Sequence, residues 1–443
     1  MGYGLHEKPP WGITLLAALQ WVIVTVSGNV AVPLVIGDAY GLSAEETARF
    51  MQQTFFFVGL ASFLQVWKGH RYPMMEGPAG LWWGIFLILS QIGMSIGTAP
   101  GEIGQALQTG MIAAGLLFFA LGAGGWIARF QRLFTPTVTG TYMMLLSIAL
   151  CSNFIKGMLG IGYRQASEVQ PGIALFSIGL IALVLVLLRV RQIAGFAVLL
   201  GMLVGWAGYA LLGWTEPIHP AAGRFVLPQL FFWGPPRFDA GILFTSVMTG
   251  FVLLTNLITS MVVVGRAVGD EATAQTCNRG GLFTGVSHLL SGLSGVVGMI
   301  PLSLAAAVIS TTKMAARLPF MLAMALLMGI ALLPDVSRFL AALPLPVAYA
   351  AMFVSFTQLL GFGLKDLARL PLDERTITVV GSSLLAGIGV MFIPASAWHH
   401  LHPLVSYLFG NGLLLGVLLA LFMEHVVFRP RKEPAPSEPL RHH

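Results

Sequence analysis

Residues 72–83 read Tyr72-Pro73-Met74-Met75-Glu76-Gly77-Pro78-Ala79-Gly80-Leu81-Trp82-Trp83. Two prolines, two glycines and a carboxylate stand where an apolar stretch of approximately 74–93 opens, and a helical pattern takes over at Leu81. A carboxylate inside a membrane span costs at least about 2.5–3.5 kcal/mol on insertion scales, so it faces protein or a water-filled cavity rather than lipid. Backbone broken by Pro and Gly at membrane depth persists only where such surroundings satisfy its polar groups. A second break, Gly298-Met299-Ile300-Pro301, opens the short apolar stretch 301–314. Interrupted spans at matching places in two halves of a chain point to the central site of a transporter.

The remaining sequence agrees. Of 443 residues, 56% are apolar and 9% charged, against roughly a quarter charged in soluble domains. So few charges cannot cover a soluble enzyme of this length. Collagen, coiled-coil and disulfide-scaffold patterns are missing, and apolar runs continue over about 20 residues instead of alternating as barrel strands do. The fold class is an all-α polytopic membrane protein. Fourteen apolar stretches are bounded by charge, Gly or Pro: 12–36, 50–67, 74–93, 105–128, 135–155, 171–189, 194–213, 239–265, 280–297, 301–314, 317–334, 339–362, 376–394 and 402–428.

A cytoplasmic N-terminus places eighteen Lys and Arg on inner loops and six on outer ones, the bias of an inner-membrane protein with both termini inside. Seven spans per half turn the second half upside down, an inverted repeat. Residues 1–10 lack a basic region and cleavage site, so the first span reads as retained. Cys151 and Cys277 read as small apolar residues. No metal-ligand spacing, cofactor motif or nucleophile–base pair occurs, and no basic run suggests nucleic acid. Residues 429–443 read as a disordered cytoplasmic tail.

Several motifs resemble one family, the nucleobase/ascorbate transporters, also called nucleobase:cation symporters of the second type. Gln20-Trp21 through Ser27-Gly28-Asn29-Val30-Ala31-Val32-Pro33 is similar to the family's first-span spacing, and Thr312-Lys313 to the close of its signature. A bacterial subgroup bearing the name purine permease looks closer still, at 75–84, Arg132-Leu133-Phe134-Thr135-Pro136, Lys156-Gly157-Met158-Leu159-Gly160, Leu343-Pro344-Leu345-Pro346-Val347 and Asn411-Gly412-Leu413-Leu414-Leu415-Gly416. The resemblance implies fourteen spans in two inverted seven-span repeats. It implies core domains at 12–130 and 239–335, gate domains at 135–213 and 339–428, and a homodimer through the gates. Short strands in broken spans 3 and 10 would pair near the midplane, with substrate between them and span 8.

The chain departs from that family where chemistry matters. The family's span-8 carboxylate, and the Asp or His four residues on, align with Asn256 and Ser260. Its span-10 motif aligns with Leu304-Ala305-Ala306-Ala307, its span-9 acid with Thr284, and its first-span His with Trp21. The substrate-binding candidates are therefore Glu76, Gly77, Pro78, Gly80, Trp82, Thr255, Asn256, Ser260, Ser303, Leu304 and Ala305. Asn256 and Ser260 share a helix face, and an amide reads a base edge without charge. The glycines let backbone approach a flat ligand, and a half-helix start offers N–H donors. Trp82 or Trp83 could stack on a base. Plainer roles are open to each: Glu76 as acceptor for freed backbone, the glycines as a helix break, the Asn and Ser as interhelical hydrogen bonds.

Burial disfavours the charged form of a carboxyl, so Glu76 is the candidate coupling residue. Its position and Leu304 differ by 228, as do Gly28 and Asn256. The expected function is a secondary active permease for a purine or related nucleobase, coupled to a proton, with sodium as the other cation. The alternatives are an anion carrier of the sulfate/bicarbonate type and an uncoupled nucleobase facilitator.

Overall fold

A computed structural model describes residues 2–95, 97–131, 133–190, 197–215, 225–398, 401, 405 and 409–428. The described chain is predominantly helical. In order it forms α1 (Trp11–Asn29), α2 (Ala31–Ala39), α3 (Ala44–Trp67), β1 (Glu76–Pro78), α4 (Gly80–Ser95), α5 (Pro100–Ala123), α6 (Ile127–Gln131) and α7 (Pro136–Met158). Then come α8 (Pro171–Arg189), α9 (Ala197–Leu211), α10 (Ala240–Val268), α11 (Ala274–Ser294), β2 (Met299–Pro301) and α12 (Leu304–Thr312). The chain continues as α13 (Arg317–Ala331), α14 (Pro334–Ala341), α15 (Leu345–Ala368), α16 (Glu374–Met391) and α17 (Gly412–Phe422).

Each of the fourteen apolar stretches contains helix. Among the described residues, six helices are long and apolar enough to cross a membrane alone: α1 with α2, α5, α7, α8, α10 and α15. Helices α13 and α14, bent by 88°, make a seventh if counted together, and α4, α9 and α17 are apolar but shorter.

Several boundaries differ from the sequence reading by up to six residues, and two of the differences have a clear cause. The twelfth stretch does not begin at 339: Phe339 belongs to α14, and α15 starts at Leu345 between Pro344 and Pro346. Pro344 keeps Leu343 before it out of helical geometry, and Pro346 falls in the first turn of α15, where a missing N–H is tolerated. The ninth stretch begins at Ala274, not 280, because the Thr273 hydroxyl accepts the Thr276 N–H at 3.2 Å and caps α11. Arg279 then lies within the helix, where its guanidinium donates to the Lys68 carbonyl at 3.0 Å. The tail 429–443 lies outside the described residues.

Packing follows two themes. Helix α5 lies against α11 and α10, while α3 lies against α13 and α13 against α1. Helices α7 and α15 form a second centre, joined by α8, α9, α16 and α17. The α5–α11 contact is backbone to backbone: a Cβ on Gly122 would stand 2.4 Å from Leu282 N, and one on Gly285 2.5 Å from Phe119 N. Small residues at such crossings are how membrane helices gain contact when lipid is as apolar as leucine.

Candidate functional site

The two broken spans meet. Strands β1 and β2 pair antiparallel, with Glu76 opposite Pro301, Gly77 opposite Ile300 and Pro78 opposite Met299. The ladder extends one bond each way, from Ala79 N to Gly298 O and from Leu302 N to Met75 O, both 2.9 Å. This pairing is how backbone interrupted by Pro and Gly keeps its polar groups satisfied. Helix α4 leaves one end of the ribbon and α12 the other. At the strand rise, the two strand ends are only about 7 Å apart along the ribbon. Both helices therefore start in the middle of the fold, where unbonded first-turn N–H groups and the positive dipole end can meet a ligand oxygen.

Glu76 stands opposite Pro301 on the ribbon, and the pairing ends before Leu304.

The ribbon's faces differ. On one, Gly77 abuts the end of α1: a Cβ there would lie 2.5 Å from Asn29 Oδ1 and 2.6 Å from a Leu302 methyl. On the other, Glu76 points toward α3. Its backbone N–H donates to the Ser62 hydroxyl at 2.8 Å, and its side chain is wholly buried. Oε1 lies 3.8 Å from His70 Nε2, longer than a hydrogen bond, and neither carboxyl oxygen has a partner.

The other candidates fall as follows. Helix α10 packs on β2, α12 and α4, bringing the helix that carries Thr255, Asn256 and Ser260 to the ribbon. Ser260 donates to Asn256 Oδ1 at 3.2 Å, a bond that does not use the amide N–H donors of Asn256. The Thr255 hydroxyl is buried without a partner. Ser303 and Leu304 are exposed at the start of α12, and Ala305 is buried. Gly80 is half-buried, and a Cβ on it would stand 3.7 Å from Leu146 on α7 and 3.9 Å from Phe356 on α15. Gly80 thus marks the seam between the ribbon and the α7–α15 pair. Trp82 is turned from that seam, wholly buried, with its indole N–H donating to His288. Trp83 faces it, edge-on to Phe356 with ring centroids 4.8 Å apart.

Sequence reasoning passed over His70, Asn29 and Ser62. His70 sits in the Lys68-Gly69-His70-Arg71 run, which reads as a charged loop, and no periodicity ties it to Glu76. Among the described residues no group of His, Cys, Asp and Glu could hold a metal.

The comparisons with known proteins make this polytopic helical membrane protein, with its ribbon of two interrupted spans and two helix starts beside it, a permease rather than an enzyme. The Permease family model matches residues 12–396, and the chain belongs to that family. It is 36% identical over 427 residues to "Putative purine permease YwdJ" of Bacillus subtilis, covering 94% of this chain and 97% of that one. It is 26% identical to the uric acid permease PucK of the same species (94% and 96% covered) and 26% identical to the xanthine permease XanP of Escherichia coli (97% and 95% covered). Among solved structures, the transmembrane domain of a cyanobacterium bicarbonate transporter, BicA, has a similar fold. Its TM-score is 0.63 at 17% identity, with 89% of this chain and all of that one covered.

Proposed function

We propose that the protein is a secondary active permease of the bacterial inner membrane that carries a purine or related nucleobase with a proton. The observation that carries the reading is the ribbon flanked by two helix starts and packed on α10, whose polar side chains there are uncharged. Neutral donors and acceptors suit a flat, neutral base whose edge carries both. The names of the relatives, purine, uric acid and xanthine permeases, favour the same substrate class. The BicA-like fold leaves an anion carrier to consider. Against it, α4 and α12 carry no Lys or Arg and α10 none before Arg266, while an ionised Glu76 would repel an anion.

Fourteen spans in two inverted repeats are supported by the packing. Moving seven stretches along turns the α5–α11 contact into α13–α3, and α10–α5 into α1–α13; all four contacts occur. The core and gate division follows the two packing centres, and transport would slide the ribbon and its helices past α7 and α15. The gate faces would join two copies in a homodimer. Several basic loops share one end of the fold: Tyr3 pairs with Met314 beside Lys313, and Arg279 reaches Lys68. That end fits the cytoplasmic side.

In this mechanism, Asn256 and the starts of α4 and α12 hold the base, and Glu76 takes up and releases the proton. A thermal-shift screen of purified protein against uric acid, xanthine, uracil, sulfate and bicarbonate tests the reading. Stabilisation by a purine and by neither anion is the expected result; stabilisation by an anion alone rejects it.

A further inference from the structure

Three buried polar atoms lie together without partners: Glu76 Oε1, Glu76 Oε2 and His70 Nε2. Both side chains are wholly buried. The other ring nitrogen is committed, because His70 Nδ1 accepts the Tyr72 backbone N–H at 3.0 Å. An amide N–H can only donate, so Nδ1 holds a lone pair and the ring proton must sit on Nε2, facing Glu76. The separation of 3.8 Å decides what can form. It is about 1 Å beyond a direct hydrogen bond and well short of the roughly 5 Å that two bonds through a water span. A small closure makes a direct Nε2–H···Oε1 bond.

The surroundings keep the ring neutral. His70 lies in the link between α3 and β1, where burial first, and then the charge of Arg317 at the start of α13, push its pKa down to about 3. Asp270 faces Tyr72 and Arg317, and Arg71 and Arg279 face Arg317. From α11, Gly280 borders the His70 Cβ, and the Gly280 carbonyl accepts from Gln65. Protonating His70 would also sacrifice the Tyr72 bond, so the ring is a fixed donor rather than a proton relay.

We propose that His70 is a positioning residue for proton coupling: its Nε2–H pairs with the Glu76 carboxylate once the proton has left, and so lets the empty, ionised carrier return across the membrane. The inference rests on the proton-coupled reading above. A hydrogen bond to the charged form favours that form; among the described residues neither Glu76 oxygen has a hydrogen-bond partner, and the Nε2–H of His70 faces Oε1 at 3.8 Å. Without the donor Glu76 would keep its proton, and the empty carrier could not complete the cycle. Exchange, which never needs the empty carrier to return, would continue.

Two variants separate this role from a structural one. His70→Asn keeps an acceptor near Nδ1 for the Tyr72 N–H and deletes the Nε2 donor; His70→Gln keeps a donor near Nε2 and deletes the acceptor. Full-length protein in vesicles is given radiolabelled uric acid, with and without an inward proton gradient. The proposal predicts that His70→Asn accumulates about tenfold less than wild type while exchanging at the wild-type rate, and that His70→Gln accumulates normally. In a Glu76→Gln background, His70→Asn should not change exchange further. Normal accumulation by His70→Asn, or loss of exchange along with accumulation, overturns the proposal and leaves the transport reading standing. Wild-type uptake that ignores the gradient rejects proton coupling itself, and the proposal with it.

Discussion

Trp82 donates its indole N–H to Nε2 of His288 at 2.8 Å, and Nδ1 of the same ring meets the Thr284 carbonyl at 2.9 Å. Trp can only donate, so the His288 proton sits on Nδ1 and both ring nitrogens are satisfied. The bond ties the first turn of α4 to α11 behind β2, where Gly298 admits no side chain: a Cβ there would lie 2.5 Å from the indole nitrogen. His288→Leu leaves a buried donor unpaired, which costs about 1–3 kcal/mol. The melting temperature should fall clearly in His288→Leu, and adding Trp82→Phe should cost little more. Additive losses in that double-mutant cycle would contradict the coupling.

Ser260 bonds the carbonyl oxygen of Asn256, and the amide N–H donors take no part in that bond. If those donors read the base, Asn256→Ala should weaken binding of the best purine in the screen by about tenfold or more. Ser260→Ala, which only frees the amide to rotate, should cost less. Isothermal titration checks the order, and unchanged affinity in Asn256→Ala removes α10 from the site.

At the far end of α3, Glu45 bonds the Arg338 guanidinium of α14. That bond holds the Glu45 carboxyl below its ordinary value of 4.5. A depressed carboxyl contributes stability above its unfolded value and loses it as pH falls through the folded one. Half-exposed, the pair is worth under about 1 kcal/mol. Glu45→Gln should therefore melt slightly below wild type at neutral pH, and the difference should shrink as pH falls below the ordinary value of 4.5 and vanish once the folded carboxyl is protonated. A difference that persists in acid would mean that Glu45 acts by packing.

Much of the fold was legible because lipid imposes a crude rule: apolar stretches of sufficient length become helices. The breaks at Glu76–Pro78 and Met299–Pro301 were legible for the same reason, since Pro and Gly cannot stand unsupported there. Span ends were less so. Arg279 looks like a boundary in sequence yet reaches the Lys68 carbonyl from within α11. The direction of a side chain from an irregular segment was not legible at all. Trp82 and Trp83 are equivalent as letters, but one is fixed by His288 and the other packs at the seam. His70 meets Glu76 only because the link after α3 folds back through the Gln65 and Tyr72 hydrogen bonds.

Orientation is open to a labelling experiment. His70 is buried, so a cysteine there would resist reagents from either side. Lys68 and Phe225 are exposed and serve instead. In a Cys151→Ala background, an impermeant maleimide added to intact cells should label Phe225→Cys and spare Lys68→Cys. The reverse pattern would invert the topology.

In the proposed mechanism, Glu76 carries the coupling proton where the two broken spans pair. Glu76→Gln mimics the protonated acid at nearly the same volume. Vesicles containing this variant, loaded and then given an inward proton gradient, should exchange radiolabelled uric acid as wild type does but fail to concentrate it. If Glu76→Gln vesicles concentrate uric acid in response to the gradient, Glu76 is a structural acceptor and the proton is carried elsewhere.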